Sequence, residues 1–335
     1  MSEHAVLARL CQASASARVL ATELDLSEAS VHASIATLRE AGVAIVEARD
    51  ADFALAVPLQ LLDREKILEA LSAESRAQVQ ALTLAFETAS TQADALAALT
   101  PQQGCAVFLA ERQTAGQGRC GRTWASPLAA NLYMSLSRRL ANKLSALSGL
   151  SLVVGVAVAE ALNAQACASM RGGFSRDSSG FPQIGVKWPN DLVADGRKLG
   201  GILTQLRADA DGGTEAVIGI GINVRMPQSQ VLQIDQAWCD LSQLGGADVS
   251  RNALAAALLD QLLPALDHFE HEGLSAFLPR WHKLDSLAGK PVRILDGPRV
   301  YEGISLGITD SGALRLRQGE QERAFHSGEV SLRPT

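Results

Sequence analysis

The sequence predicts an α+β protein with three parts, and three features of the chain indicate this. Apolar residues recur at helical spacing in the N-terminal part, where a strand-like pair follows the helices. Strand-like runs separated by turn residues dominate after Gly104. A further set of short strands, punctuated by "DGP", "DSG" and "QGE", follows Gly289. We therefore divide the chain into residues 1–62, 63–284 and 285–335.

Composition restricts the class of protein. The chain has 335 residues, of which 47% are hydrophobic and 20% charged, as in globular proteins of two or three domains. The net charge of −6 argues against a protein that coats nucleic acid, but it leaves room for one locally basic site. The five cysteines are odd in number and form no CxxC, which disfavours a disulfide framework or a metal site. We therefore expect a cytoplasmic protein.

No secretory signal or membrane segment is predicted. The N-terminus "MSEHAVLARL" carries an acid and a histidine, with no apolar run behind it. The most apolar window, Leu150 to Leu162, contains Glu160 and is shorter than the roughly twenty residues that cross a bilayer. We expect it to be a core helix and expect no membrane partner.

The N-terminal part has the outline of a winged helix-turn-helix. Helical spacing covers Ala5 to Cys11, Ala17 to Leu24 and Ser27 to Glu40, and Ser27 is suited to cap the third helix. The segments "GVAIVEA" and "FALAVPL" then predict a pair of strands. The candidate DNA contacts are on or beside the third helix: Ser27, Ser30, His32 and Arg39.

The charge of the N-terminal part does not decide whether this part binds DNA. Residues 1–60 contain four Lys/Arg and eight Asp/Glu, a net charge of 4 − 8 = −4, whereas phosphate contacts normally need a basic face. Glu28 is near the start of the third helix, and the wing "RDADF" carries a single cation. The domain either serves packing only or binds operator DNA as part of a homodimer.

The central part begins with a segment, Asp63 to Leu99, that its alanine content predicts to be helical. Strands are predicted at "CAVFLA", "LYMSLS", "IGVKW", "DLVADGRKLGGILTQL" and "AVIGIGINV". Asp195-Gly196 is a hairpin turn between two apolar runs. Residues 171–183, "RGGFSRDSSGFPQ", have the composition of a surface loop. The strands after Gly289 predict a small antiparallel barrel.

The stretch "QTAGQGRCGRTW", residues 113–124, has the composition of an anion-binding loop. Glycine lets the backbone come close to a ligand, and the N–H groups of its neighbours can point at an anion. Arg119 and Arg122 add planar donors suited to phosphate or carboxylate. The stretch is neither a Walker loop nor a dinucleotide fingerprint. A flexible surface loop with solvated arginines is the alternative.

A second polar stretch, "VKWPNDLVADGRKLGGI", supports the interpretation of residues 113–124 as an anion-binding loop. Lys187 ends a predicted strand, and Pro189 terminates it because proline has no ladder donor. A lysine there can stabilise developing negative charge, although surface lysine is the commoner role of this residue type. Asn190, Asp191 and Lys198 gather around the following hairpin. Two cationic polar loops together suit a site for a carboxylate and a nucleotide.

These two stretches, with "STQADAL", "VIGIGINV" and "RWHKLDSLAGKPV", make the sequence closely similar to the bacterial biotin protein ligases of the bifunctional ligase/repressor type. The resemblance implies a winged helix-turn-helix, a mixed-sheet catalytic domain of the biotin/lipoate ligase type and an SH3-like C-terminal β-barrel. It also implies ATP-dependent formation of biotinyl-5′-AMP, with release of pyrophosphate. Biotin then passes to one lysine of the biotin carboxyl carrier protein of acetyl-CoA carboxylase.

Carried over by position, the resemblance gives Arg119 the task of holding the adenylate and Lys187 that of contacting the biotin carboxylate and acyl-adenylate. The implied biotin contacts are Ser90, Thr91, Gln92, Gln113, Gln117, Gly118, Arg119 and Lys187. The implied ATP and adenylate contacts are Arg119, Arg122, Trp124, Asn190, Asp191, Lys198 and Asn223. Gln92 replaces the usual asparagine, and Gln117 and Cys120 replace arginines, so Arg119 carries more of the charge.

The chemistry needs ATP and biotin as substrates and Mg²⁺ beside the phosphates. Charge neutralisation and in-line positioning suffice, so no nucleophilic triad is required. Two alternatives remain open at this point: a ligand-sensing transcription regulator without ligase activity, and a lipoate ligase of the same architecture. The joint presence of Lys187 and Arg119 favours an enzyme, and the block from Lys187 to Asp191 favours biotin.

Overall fold

We describe a computed structural model of the 335-residue chain. It describes the following residues: 2–48, 51–98, 100–170, 182–209, 212–227, 236–245, 249–326 and 331–334. Most of the glycine- and serine-rich stretch at 171–183, and Arg49 and Asp50 of the predicted wing, are outside these residues.

Three helices and a three-stranded sheet form the N-terminal part. The helices are α1 (Ser2–Leu10), α2 (Ala17–Leu24) and α3 (Glu28–Glu40). The strands are β1 (Ala15–Ser16), β2 (Ile45–Glu47) and β3 (Asp52–Leu55), paired in the order β1-β3-β2. Ser27 caps α3, because its hydroxyl accepts a hydrogen bond from the Ser30 N–H at 3.1 Å. The three predicted helices and this cap are confirmed.

The prediction of a helical segment over Asp63 to Leu99 is wrong in its middle. The chain forms α4 (Arg64–Ala70), α5 (Ala73–Gln78), β4 (Val79–Thr88) and α6 (Thr91–Ala97). In β4, "VQALTLAFET", Leu82, Leu84 and Phe86 recur at the period of two that defines a strand. The strand pairs in parallel with the next one along its length, with Leu82 opposite Val107. Tertiary pairing therefore decided the conformation of an alanine-containing segment.

The central part is built on one mixed sheet. Its remaining strands are β5 (Cys105–Gln113), β6 (Leu132–Leu140), β7 (Gly185–Lys187), β8 (Asp191–Ala194), β9 (Arg197–Ala208) and β10 (Thr214–Ile222). The strand order is β4-β5-β6-β10-β9-β8-β7. Only β4 and β5 run parallel within this sheet. The β8–β9 hairpin turns at Asp195 and Gly196, which have φ of 50° and 72°, as predicted for this dipeptide.

The two faces of the sheet have different roles. Helices α7 (Leu150–Met170) and α8 (Arg251–Glu272) cover one face, where alternate strand residues such as Met134, Ile218 and Ile220 join the main core. The prediction of a core helix over Leu150 to Leu162 is confirmed. The opposite face carries α6, which packs against Ala106, Phe108 and Val217. That second face holds the cavity described below.

The C-terminal part follows α9 (Leu278–Leu284) and is an antiparallel sheet. Its strands are β11 (Pro291–Asp296), β12 (Arg299–Ile308), β13 (Leu314–Gln318), β14 (Gln321–Phe325) and β15 (Ser331–Pro334). The order is β14-β13-β12-β11-β15, and within the described residues β14 and β15 are the two edges. The strands agree with the sequence prediction, while closure into a barrel is not seen in the described part of the chain.

None of the helices among the described residues is long and apolar enough to cross a membrane.

Candidate active site

A cavity on the open face of the central sheet gathers nearly all of the predicted site residues. Those that line it are Ser90, Thr91, Gln92, Gln113, Gln117, Gly118, Arg119, Arg122, Trp124, Lys187, Asn190, Asp191 and Lys198. Asn223 is the exception. Its side chain donates to the Cys239 carbonyl at 3.1 Å, so it fixes the chain beyond β10 instead of lining the cavity.

The loop "QTAGQGRCGRTW" forms one wall of the cavity as a small hairpin. The Trp124 N–H donates to the Gly116 carbonyl at 2.9 Å, and the Gly118 N–H donates to the Arg122 carbonyl at 2.7 Å. Cys120 lies at the tip with a φ of 55° and is exposed. The same hairpin also borders a second cavity. The alternative of a flexible surface loop does not describe this hydrogen-bonded wall.

Arg119 points from the hairpin into the site. Its guanidinium donates to the Asn190 Oδ1 at 3.3 Å, while the Asn190 Nδ2 donates to the Ile202 carbonyl at 2.7 Å. Burial lowers the pKa of Arg119, and the opposing effects of Cys120 and Asp191 are smaller. A guanidinium stays charged in proteins, so the cavity holds a partly desolvated positive charge. Such a charge binds an anion more strongly than one in bulk water.

Lys187 and Lys198 share one carboxylate at the base of the cavity. The Lys198 Nζ is 2.7 Å from Asp191 Oδ1, and the Lys187 Nζ is 3.5 Å from Asp191 Oδ2. Burial lowers the pKa of Lys187; Asp191 opposes the change and Lys198 adds to it. Two ammonium groups thus face one carboxylate, which leaves net positive charge for an anionic ligand. Asp191 is therefore placed as a charge partner of the lysines.

The end of the cavity near α6 is polar and enclosed. The Thr91 N–H donates to Gln113 Oε1 at 2.9 Å, and Gln113 Nε2 donates to the Ser126 hydroxyl at 3.0 Å. Ser90 precedes α6 but does not cap it, and its hydroxyl is buried without a hydrogen-bond partner among the described residues. A buried polar atom of this kind requires an explanation, and contact with a bound ligand supplies one.

Trp124 lies flat against the floor of the cavity. A Cβ added at Gly221 would be 2.7 Å from Trp124 Cε2, and one added at Gly201 would be 3.4 Å from Trp124 Cζ3. These two glycines face each other on β10 and β9, so the absence of side chains makes room for the indole. Lys198 Nζ is 5.4 Å from the centre of the ring. The indole N–H is buried and has no partner among the described residues.

Several lining residues were missed by the sequence reasoning. Ser135 lies on β6, and Gly219 and Gly221 lie at alternate positions of β10. Small residues at a period of two within "MSLS" and "GIGI" are the pattern in the sequence that corresponds to them. Leu332 and Arg333 of β15 also reach the cavity. Nothing local in the sequence predicts their presence, because it depends on how the C-terminal sheet docks.

The candidate DNA contacts have structural roles: two of them cap α3, and the other two pack it against the strands. Ser27 and Ser30 form the cap of α3, with 2.8 Å between their hydroxyl oxygens. Arg39 Nε donates to the Ile45 carbonyl at 2.9 Å, and its guanidinium lies 5.7 Å from the centre of the Phe53 ring. His32 is exposed and meets the same ring edge-on at 5.5 Å. Arg39 therefore ties α3 to the strands.

The histidines near the end of α8 have structural contacts. His268 Nε2 is 3.7 Å from Glu272, and Glu270 accepts from the Ala141 N–H at 2.6 Å. Within the described residues there is no group of three or more His, Cys, Asp or Glu side chains that could hold a metal ion.

Comparisons with known proteins give the family. Residues 86–223 match the Biotin/lipoate A/B protein ligase family, and residues 288–333 match the Biotin protein ligase C terminal domain. The bifunctional ligase/repressor BirA of Escherichia coli is 38% identical over 314 residues, covering 94% of this chain and 91% of the relative. The biotin–[acetyl-CoA-carboxylase] ligase of Mycobacterium tuberculosis is 31% identical over 254 residues, covering 74% of this chain and 88% of the relative.

A solved structure agrees with this assignment. The biotin protein ligase of Aquifex aeolicus, in complex with biotin and ATP, superposes with a TM-score of 0.62 at 26% identity, covering 76% of this chain and 100% of that chain. The matched residues 86–223 include Arg119 and Lys187 and all the other residues that line the cavity except Gln236, Leu332 and Arg333. The chain belongs to the biotin protein ligase family, of the bifunctional ligase/repressor type.

Proposed function

We propose that this chain is a biotin protein ligase, which makes biotinyl-5′-AMP from biotin and ATP and transfers biotin to a carrier lysine. The observation that carries the proposal is the convergence of Arg119, Lys187 and Lys198 on one cavity whose far end is polar and enclosed. The relatives named above are ligases for biotin, one of them for acetyl-CoA carboxylase. The carrier subunit of that enzyme is the acceptor that we propose.

In the first half-reaction the biotin carboxylate attacks the α-phosphorus of ATP, and pyrophosphate leaves. Two anions must approach each other, so the cations of the site lower the barrier by neutralising charge. Lys187 is suited to the carboxylate, because it is the partly buried lysine at the end of β7. Arg119 is suited to the α-phosphate, because the hairpin brings its guanidinium to Asn190, the residue next to the Asp191 that pairs with Lys187.

In the second half-reaction a lysine amine of the carrier attacks the carbonyl of the mixed anhydride, and AMP leaves. Positive charge near the phosphate stabilises the departing AMP, so Arg119 and Lys187 serve this step as well. The carbonyl carbon is already activated by the phosphate leaving group. The protein therefore needs to hold the intermediate and admit the amine, and needs no nucleophile of its own.

The polar end of the cavity is proposed to take the ureido ring of biotin. Ser90, Thr91, Gln92 and Gln113 provide both donors and acceptors there. A ureido group has two N–H donors and one carbonyl acceptor and matches such a set. The nucleotide is proposed to lie toward Trp124 and Arg122, where the floor glycines let an aromatic ring approach the sheet.

The side chains of the cavity do not form a magnesium site of their own. Asp191 is the one carboxylate among the described lining residues, and it is paired with Lys198 and Lys187. Magnesium usually keeps several waters and binds substrate phosphates together with one or two carboxylates. The expected Mg²⁺ would therefore be held chiefly by the triphosphate, and none of the steps above depends on it.

The three parts are proposed to be a winged helix-turn-helix (1–62), a catalytic domain (63–284) and an SH3-like domain (285–335). The helix and strand order of the first part supports the winged helix, with β2 and β3 as the wing. The five antiparallel strands of the last part support the SH3-like assignment.

A repressor function is supported by the relatives and opposed by charge. BirA of Escherichia coli is named a ligase/repressor, whereas α3 here exposes few cations and Arg39 is engaged with Ile45 and Phe53. A gel-shift experiment with the promoter of the organism's own biotin operon, with and without biotin and ATP, tests it. Retardation that needs both ligands supports a repressor, and its absence at low salt excludes one.

One assay tests the ligase proposal against its alternatives. Purified protein, ATP and either biotin or lipoate are incubated with a biotin carboxyl carrier domain and a lipoyl domain, and the modified lysines are read by mass spectrometry. We expect transfer of biotin to the carboxyl carrier domain only. Transfer of lipoate would indicate a lipoate ligase, and binding of biotin without transfer would indicate a sensor.

A further inference from the structure

The side chain of Gln92 spans strand β10 from one side to the other. Its Nε2 donates to Gln205 Oε1 at 2.9 Å and lies 3.3 Å from the Val217 carbonyl and 3.5 Å from the Leu203 carbonyl. Its Oε1 accepts from the Ser135 hydroxyl at 3.3 Å. The carboxamide therefore links β9 on one side to β6 on the other.

The surroundings determine which end of this carboxamide faces the cavity. Backbone carbonyls only accept hydrogen bonds, so the end beside Val217 and Leu203 must be the nitrogen. The oxygen is then presented to Ser135, which is 1% exposed and lines the cavity. Ser135 lies 2.8 Å from the Thr91 hydroxyl, and Thr91 in turn contacts Gln113. The orientation of one amide thus sets the donor pattern of the polar end.

Gly219 makes room for the side chain of Gln92. A Cβ added at this position would lie 2.5 Å from Gln92 Oε1, a distance that requires something to move. Gly219 faces Ser135 on β6 and Leu203 on β9, so the carboxamide passes directly above it. The absence of a side chain at Gly219 leaves the space through which the Gln92 carboxamide reaches β9.

We propose that Gln205 is a positioning residue for the biotin pocket, because it holds the Gln92 carboxamide across β10 with the oxygen toward Ser135. Gln205 lines the second cavity and does not line the first. Its side chain is exposed. Because it does not line the first cavity, it would act on biotin only through its hydrogen bond with Gln92. The proposal rests on the ligase function proposed above and adds a determinant of biotin affinity.

Two variants of Gln205 separate its hydrogen bond from its bulk. Gln205→Met keeps the length and removes the acceptor, whereas Gln205→Glu keeps an acceptor for Gln92 Nε2. KM for biotin, KM for ATP and kcat are measured with a biotin carboxyl carrier domain as acceptor. We expect Gln205→Met to raise KM for biotin by about two- to fivefold, the effect of one partly exposed hydrogen bond. KM for ATP and kcat should be unchanged, and Gln205→Glu should restore KM for biotin.

Arg207→Met is the matched control, since Arg207 is exposed, lies two residues along the same strand and contacts Glu215 instead of the pocket. It should leave all three constants unchanged. A wild-type KM for biotin in Gln205→Met, or an equal increase in Gln205→Glu, would overturn the positioning role while leaving the ligase function intact. If the wild-type protein itself transferred no biotin, the proposed function would fall, and this proposal with it.

Discussion

At the residue scale, the site is organised by the charge balance around Asp191. One carboxylate pairs with both lysines, and it keeps them close together despite their mutual repulsion. Burial lowers the pKa of Lys187, and Asp191 is the main influence that opposes this. Asp191 therefore helps Lys187 to remain protonated within the cavity.

The charge balance around Asp191 predicts that Asp191→Asn changes the pH dependence of the adenylation rate. A lysine whose pKa is lowered in the folded protein loses its proton earlier as pH rises, and removing Asp191 lowers that pKa further. The alkaline limb of the adenylation rate should therefore move to lower pH, with little change on the acid side. Pyrophosphate release is measured against pH. Asp195→Asn, in the exposed β8–β9 turn, is the control, and an unchanged alkaline limb in Asp191→Asn would contradict the assignment.

Arg119 has a distinct role that a second variant tests. We expect Arg119→Gly to release biotinyl-5′-AMP, because the hairpin then loses the guanidinium proposed to hold the phosphate. The activated biotin should label lysines of unrelated proteins, which streptavidin blotting of a mixture containing albumin detects. Arg112→Gly, at an exposed ion pair with Glu87, serves as the control. Strict labelling of the carrier by an Arg119→Gly variant that still makes the adenylate would show that the role is wrong.

At the element scale, the sheet separates apolar packing on one face from the cavity on the other. The face toward α7 and α8 carries large apolar side chains, whereas on the other face the cavity is lined by Ser135 of β6 and by Gly219 and Gly221 of β10. The period of two in the strands makes this division possible within one sequence. The hairpin of residues 116–124 then closes over the glycine-lined face.

Because β10 and the hairpin are in tight contact at Gly221, we expect Gly221→Ala to lower stability and to raise KM for ATP. The new methyl group would lie 2.7 Å from Trp124, and overpacking of this kind costs about 1–3 kcal/mol. Displacement of Trp124 should disturb the end of the cavity proposed to hold the nucleotide, so KM for ATP should rise more than KM for biotin.

Gly155→Ala is the control for Gly221→Ala. Gly155 lies inside α7, where a Cβ would have its closest contact at an ordinary 3.5 Å. Alanine should be neutral or stabilising there, by up to about 1 kcal/mol. Equal kinetic constants for Gly221→Ala and the wild type would indicate that Trp124 does not shape the nucleotide end.

At the scale of the whole molecule, a buried ion pair within the central part also binds the backbone at the end of the N-terminal part. Glu111 and Arg251 have side chains only 3% and 5% exposed, 2.8 Å apart. Glu111 Oε1 accepts from the Leu62 N–H at 2.5 Å, and Arg251 donates to the carbonyls of Gln60 and Asn131. The segment between the parts is therefore held by charged groups inside the protein.

We expect Arg251→Met to destabilise the protein strongly, because it leaves the Glu111 carboxylate buried and unpaired. Breaking a buried pair in this way costs about 3–5 kcal/mol, whereas an exposed pair contributes about 0–1 kcal/mol. Urea denaturation followed by tryptophan fluorescence reports this, since all four tryptophans lie beyond residue 62. Arg207→Met, which breaks the exposed pair with Glu215, is the control. Equal midpoints for both variants would contradict the role of the buried pair.

Nearly all of the site residues predicted from the sequence line one cavity, and their roles stay predictions. Local patterns sufficed for the capped helix α3, the Asp195-Gly196 hairpin and the loop around Arg119, because each depends on residues that are neighbours in the chain. The strand β4 was missed, since its alanines favour a helix and only pairing with β5 makes it a strand.

The sequence by itself determined the family, the order of most elements and the residues suited to bind anions. Those properties reside in short motifs whose chemistry is set by residue type and spacing. The tertiary structure alone decided that Asp191 serves the two lysines, that Asn223 lies away from the cavity, and that Arg333 reaches it. It also decided that Gln92 meets Gln205 across β10. Contacts between residues far apart in the chain depend on how sheets and helices pack, which local pattern does not specify.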